Sequence, residues 1–253
     1  MEGPQIHLYA NTVFPQVLGH TLSGVEGERA DRCEHLVGSP LEEATPLGKR
    51  LYLRFGGHDD ERLTLHCLMF GDVRLDRDRE KRLTLRLWLE RAESRRRVDL
   101  YLGAAKVVPL AEMLKVPAAR DVMRDDADPA GTLAEAAAAM PDRAVGDVLL
   151  DQTWFPGLGN VIRIEALFEA GVHPDRPTGS LTPTEVDAVA AGVLRVSREF
   201  YAAVAERGDH AHPRRRVHKG KTCPTCGATL RKEKLGADAR TAWWCDACQP
   251  LGG

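Results

Sequence analysis

Residues 151–174 read DQTWFPGLGNVIRIEALFEAGVHP. Gly157 and Gly159 interrupt any helix before Asn160, and apolar periodicity resumes from Val161 to Ala170 and stops at Gly171. The pattern predicts helix, turn, helix. Glycines at such a junction permit tight turns and let the backbone approach a ligand closely. Unpaired N–H groups at the start of the second helix suit a phosphate. On chemistry alone, a plain αα-hairpin with a buried Asn160 fits the same residues.

Downstream, Val186, Val189, Ala190, Val193 and Phe200 fall near one face of a helical period. Thr182 as N-cap, Pro183 at the first helical position and Glu185 completing a capping box predict where that helix starts. Upstream, the segment DDADPAG (125–131) marks a turn-rich boundary, after which the pattern turns helical. Nearer the N-terminus, period-2 alternation places Leu51, Leu53 and Phe55 opposite Tyr52 and Arg54. The same alternation recurs at Leu63, Leu65 and Cys67, at Leu83, Leu85, Leu87 and Leu89, and at Val98, Leu100 and Leu102. These are half-buried antiparallel strands, and several in succession predict a β-sandwich or barrel. A helix is expected over about Pro4–Leu18, kinked or ended by Pro15. The stretch Gly208–Lys221, rich in His, Arg and Gly, reads as a linker.

Four of the six cysteines form C-x2-C, eighteen residues, then C-x2-C: Cys223, Cys226, Cys245 and Cys248. Two such knuckles supply four thiolates to one tetrahedral zinc, with the intervening residues as a hairpin. All four positions are taken by protein, so the zinc is structural and staples a segment too short to hold a core. Many zinc ribbons bind only protein, so the ribbon does not by itself specify DNA. Cys33, Cys67 and His66 are read as structural residues.

The formal charge of −2 gives no bulk signal for nucleic acid. Charge is segregated, however: Arg207–Lys234 is strongly basic and Asp121–Asp128 acidic. A basic face binds phosphate by releasing counterions, while a solvated charged loop gives the same composition. No run of 18 apolar residues and no basic-then-apolar leader is present, so a soluble, cytoplasmic protein without a membrane partner is expected; with no oligomer signal readable, a monomer is expected too.

Read together, Asp151-Gln152, Gly157-Leu158-Gly159-Asn160, Glu165-Ala166-Leu167 and His173-Pro174 resemble the helix–two-turn–helix motif of the formamidopyrimidine-DNA glycosylase and endonuclease VIII family. The ribbon from Arg240 to Gln249 is similar to that family's zinc finger, Glu2-Gly3-Pro4 to its opening, and Gly48-Lys49 to its lysine turn. Leu68-Met69-Phe70-Gly71 looks closer to the endonuclease VIII branch. The resemblance implies an α+β fold with an N-terminal antiparallel β-sandwich and flanking helix over 1–120. A helix–two-turn–helix domain would follow over 130–212 and a zinc-ribbon hairpin over 218–253.

It also implies base-excision repair of damaged or abasic DNA, by an amine nucleophile that forms a Schiff base and cleaves the strand by elimination. Glu2 would shuttle protons at the sugar and Lys49 would contact phosphate near the lesion. Asn160 and Arg240 would grip backbone phosphate, and Leu68, Met69 and Phe70 would fill the gap left by an everted base. These roles suit the chemistry, since a base must leave the stack before its glycosidic bond is reached and the vacated space favours apolar wedges.

One position departs from the family. Aligning Glu-Gly-Pro puts Met1 where the family carries an N-terminal proline nucleophile. The Met1 α-amine is a primary amine, with an unperturbed pKa near 8, and the start of a helix would favour its neutral form. Such an amine can form a Schiff base with an abasic aldehyde, whereas displacing an intact base is harder. Lyase activity is therefore expected to survive better than glycosylase activity. Two other readings compete: a protein of the same fold that binds lesions without chemistry, and a zinc-ribbon protein whose partner is another protein.

Overall fold

The computed structural model describes residues 1–208, 211, 215–236 and 239–252. The chain divides into two compact units, Met1–Val116 and Pro117–Gly253.

In the first unit, helix α1 (Gly3–Thr12) starts at the N-cap Glu2 with Pro4 in its first turn. It stops well short of Leu18, because Pro15 cannot continue the ladder; a short 3-10 turn over Phe14–Gln16 follows. Eight strands come next: β1 (Thr21–Glu26), β2 (Leu41–Leu47), β3 (Arg50–Phe55), β4 (Glu61–His66), β5 (Asp72–Leu75), β6 (Leu83–Arg91), β7 (Ser94–Tyr101) and β8 (Ala104–Pro109). A short helix, α2 (Leu110–Leu114), closes the unit. The strands form two antiparallel sheets, ordered β1-β6-β7-β5 and β2-β3-β4-β8. Leu22, Val73, Leu85, Leu87, Val98 and Leu100 from one sheet share a core with Leu41, Leu51, Leu53, Leu63, Leu65 and Ala105 from the other. Ile6, Tyr9 and Ala10 of α1 join the same core. This is the expected sandwich.

Two departures from simple alternation have local causes. Tyr52 is buried although it faces away from the shared core, because Leu47, Val108, Met113 and Val116 form a second small cluster over it. In β6 a bulge between Leu83 and Leu85 breaks the alternation. Thr84 turns inward there, and its hydroxyl accepts from the Gly103 N–H at 2.9 Å.

The second unit is helical. Asp128 caps α3 (Pro129–Ala139) by accepting from the Gly131 N–H at 2.9 Å. Helices α4 (Val145–Leu150) and α5 (Asn160–Ala170) flank the glycine-rich turn, and α5 ends at Gly171 in the left-handed conformation. The long α6 (Pro183–Arg207) carries the expected Thr182–Glu185 capping box. Where α6 crosses α5, a side chain at Gly192 would press on the Ala166 backbone, so the glycine permits the close approach. Strands β9 (Arg231–Leu235) and β10 (Arg240–Trp244) pair antiparallel as the ribbon hairpin.

Part of the Gly208–Lys221 stretch lies outside the described residues, but its end is not a loose linker. The carboxylate of Glu165, fully buried in α5, accepts from the backbone N–H groups of Arg216 (2.8 Å), Val217 (3.2 Å) and His218 (2.8 Å). Val217 then packs with Ile164, Phe168, Leu230 and Trp243, which ties the ribbon to α5 through one apolar cluster.

Candidate functional site

In the sandwich unit the candidate residues converge on the N-terminal amine. The Met1 α-amine donates to the Leu68 carbonyl at 3.1 Å. Leu68 opens the short turn that joins β4 to β5 and sits in the left-handed region at φ 43°, uncommon for a residue with a branched side chain. Gly71 closes the turn: its N–H donates to the Cys67 carbonyl at 2.8 Å. A Cβ at Gly71 would collide with the carbonyl oxygens of Cys67, Tyr101 and Leu102. Between these two points Leu68, Met69 and Phe70 stand exposed by 44, 66 and 68%. They are not strand core, and three large apolar side chains in a row on a tight turn form a small projecting patch.

Lys49 occupies the second place of the two-residue β2–β3 hairpin, after Gly48 at φ 59°. Glycine first in such a loop gives the strand twist its matching turn. His66 is the last residue of β4 and lies near the cations of this region. Its imidazole is held neutral, with a pKa pushed down to about 4, first by burial and then by the positive charges of Arg50, the N-terminal amine and Lys49. Those cations therefore lie near enough to one ring to act on it. Glu2 is buried at the start of α1, where its N–H donates to the Gln5 side chain at 3.0 Å.

Sequence reasoning missed a brace behind the apolar turn. Lys81 donates to the Phe70 carbonyl at 3.1 Å and pairs with Asp72 at 3.4 Å. Asp72 is fully buried and also pairs with Arg74 and Arg79. A lysine beyond β5 carries no sequence signal that it reaches back to a turn eleven residues earlier.

In the helical unit, Asn160 is the first residue of α5 and its amide donates to the Thr241 carbonyl at 2.9 Å. Thr241 follows Arg240, which is exposed at the start of β10. The start of α5 and the backbone that follows Arg240 thus sit side by side. Arg163, one turn on and 1% exposed, also reaches the Thr241 carbonyl at 3.4 Å. The Asn160 side-chain oxygen is buried without a hydrogen-bond partner among the described residues. Gln152 braces the turn by accepting from the Gly157 N–H at 3.1 Å and donating to the Leu158 carbonyl at 3.0 Å.

The four ribbon cysteines come together as their spacing predicts. All four sulfurs lie within 4.8 Å of one another. The Cys223–Cys248 and Cys226–Cys245 separations are 3.8 and 3.5 Å. Four thiolates about 2.3 Å from a tetrahedral metal stand about 3.8 Å apart, so the donors fit one ion.

This architecture matches known proteins at two levels. Residues 119–208 match the formamidopyrimidine-DNA glycosylase H2TH domain. The chain is 27% identical to Endonuclease 8 of Klebsiella pneumoniae, covering 98% of this chain and 99% of that one. At full length the chain resembles proteins of the formamidopyrimidine-DNA glycosylase/endonuclease VIII family. Another relative in the family is the DNA-(apurinic or apyrimidinic site) lyase Nei2 of Mycolicibacterium smegmatis, at 28% identity over 90% of this chain and 93% of that one. Endonuclease 8-like 3 of Xenopus laevis is 33% identical over 110 residues, and this chain spans 17% of its length. A viral DNA glycosylase shares the fold with a TM-score of 0.86 at 19% identity, over 98% of this chain and all of that one. No helix among the described residues is long and apolar enough to cross a membrane.

Proposed function

We propose that this protein is a base-excision-repair DNA glycosylase and abasic-site lyase that starts its chemistry with the α-amine of Met1. The observation that carries the reading is the 3.1 Å hydrogen bond from that amine to Leu68, at the root of the exposed apolar turn and near the Lys49 charge and the neutral His66 ring. A neutral amine can donate that bond and still offer a lone pair for attack. The names of the relatives, a lyase at abasic sites among them, support the reaction class.

On abasic DNA the Met1 nitrogen adds to the C1′ aldehyde, and loss of water gives a protonated Schiff base. That cation acidifies the C2′ hydrogen. A base removes it, the C3′–O bond breaks, and the 3′ phosphate departs with the electron pair. Water then releases the sugar fragment and regenerates the amine. Glu2 shuttles the protons, and Lys49 balances phosphate charge near the lesion. Leu68, Met69 and Phe70 fill the space of an everted base. Asn160, the start of α5 and Arg240 grip backbone phosphate. We assign the four-cysteine centre to structural zinc, whose all-thiolate shell leaves no position for substrate. The sandwich over 1–120 carries the chemistry, and the helical segment 130–212 and ribbon 218–253 supply grip. Damaged or abasic DNA is the partner, met in the cytoplasm or nucleoid.

A second reading, lesion binding with little chemistry, is favoured by the primary Met1 amine in the family's proline position. The two separate on an abasic duplex. Untagged protein should cut the strand, and one extra residue ahead of Met1 should abolish cutting with binding retained. Binding without any cutting by the untagged protein would establish the second reading.

A further inference from the structure

A second cluster of metal donors lies in the sandwich unit. His35 belongs to a 3-10 turn (Glu34–Leu36) between β1 and β2. His58 sits in the β3–β4 turn and Glu61 is the first residue of β4. The His35 Nε2 and the His58 Nδ1 both stand 2.9 Å from the same carboxylate oxygen, Oε1 of Glu61. The two rings meet edge-on with centroids 5.6 Å apart. One donor atom from each of the three residues lies within 4.8 Å of the others.

We propose that His35, His58 and Glu61 form a binding site for a divalent transition-metal ion, zinc being the ion of choice. Two imidazoles and a carboxylate suit zinc, cobalt or nickel and not calcium or magnesium, which prefer all-oxygen shells. Bonds of about 2.0–2.1 Å to a tetrahedral ion put donors about 3.3 Å apart, so each nitrogen need draw back from the oxygen by only about 0.4 Å. His35 is half exposed and can supply that movement. An ion at the centre would take each imidazole through the nitrogen that now faces Glu61, with the ring proton on the other nitrogen. A surface ion pair needs one ring on the carboxylate; two rings from separate elements aimed at one oxygen are already arranged around a common centre.

The fourth position is accounted for as well. A hollow of about 390 Å³ is lined by His58, Asp59, Asp60 and Glu61 on one side and Val107, Val108 and Pro109 on the other. It leaves room for water or an oxygen ligand beside the two donors of the β3–β4 turn. An ion there would clip the His35 turn, 26 residues away in sequence, to the start of β4, and so cross-link the sandwich by a route that α1 and the ribbon do not provide.

The test uses untagged full-length protein whose ribbon is first saturated with zinc, verified by loss of reactivity of its four thiols. Titration calorimetry with further zinc should show a second equivalent binding in the micromolar range, with a rise in Tm. His35→Gln, Glu61→Gln and His58→Ala should each weaken that second event at least tenfold while the first zinc stays bound. Circular dichroism and the retained ribbon zinc identify any variant that fails to fold, and His35→Gln, at the most exposed donor, is the least disruptive of the three. Absence of a second equivalent in the parent protein overturns the assignment, and so does a second equivalent that survives in all folded variants.

Discussion

Glu165→Gln isolates the clamp that fixes the ribbon on α5. The buried Glu165 carboxylate receives three backbone N–H groups, Arg216 on Oε2 and Val217 and His218 on Oε1. Glutamine keeps the shape but offers one oxygen. Placed at the Oε1 position, that oxygen retains two bonds in neutral form, and the new NH2 faces the Arg216 donor. Leaving one buried donor without an acceptor costs about 1–3 kcal/mol, and reducing two charge-assisted bonds to neutral ones costs about 0.5–1 kcal/mol each. The expected loss is therefore about 2–5 kcal/mol. It is read as a lower urea midpoint followed by tryptophan fluorescence, since Trp243 and Trp244 lie in the ribbon strand. Glu233→Gln on the exposed β9 serves as control and should change stability by less than about 0.5 kcal/mol. Because Asn160 is bonded to Thr241 of the same ribbon, the Glu165→Gln variant should also bind abasic duplex more weakly. A Glu165→Gln protein as stable as the control would refute the clamp.

Phe70→Ala should leave Tm unchanged, because the ring is 68% exposed, yet weaken binding to abasic duplex by about 1–3 kcal/mol through lost stacking, measured by fluorescence anisotropy. Cys226→Ser should release the ribbon metal and abolish DNA binding, read by metal analysis and gel shift, with the sandwich unit still melting cooperatively. His66 titrates near 6.5 when unfolded but at about 4 when folded. Only the unfolded chain takes up that proton between those values, so stability is full above 6.5 and falls as pH drops from 6.5 to 4. The loss is about 2 kcal/mol once solvent screening of the partly exposed ring is allowed for; His66→Gln should flatten Tm against pH across this window.

The elements that sequence disclosed are those whose signal is local. The cysteine spacing, the Thr182-Pro183-Glu185 helix start and the glycine break before Asn160 each involve residues within one or two turns of each other, and each appears where expected. The four central strands of regular alternation were equally legible. Strands β1, β2, β5 and β8 were not, for physical reasons. β5 has only four residues, β2 carries two glutamates and a proline, and β1 contains Gly24 at a bulge. Their strand character is imposed by neighbours already in place. Contacts across long separations left no trace: Lys81 bracing Phe70, Glu165 holding Arg216–His218, and His35 meeting Glu61 exist only once the topology is set. The exposure of Leu68–Phe70 is similar. Their apolar sequence reads as a continuation of β4, and the left-handed Leu68 with the crowded Gly71 turns them out.

The central claim is that the Met1 amine is the nucleophile. Borohydride reduction of the native, untagged protein on abasic-site duplex, followed by mass spectrometry of the crosslinked peptide, tests it most directly. A covalent adduct on the Met1 nitrogen, formed in step with strand cleavage, is the expected result. An adduct on Lys49, or no adduct while the same DNA is tightly bound, would contradict it.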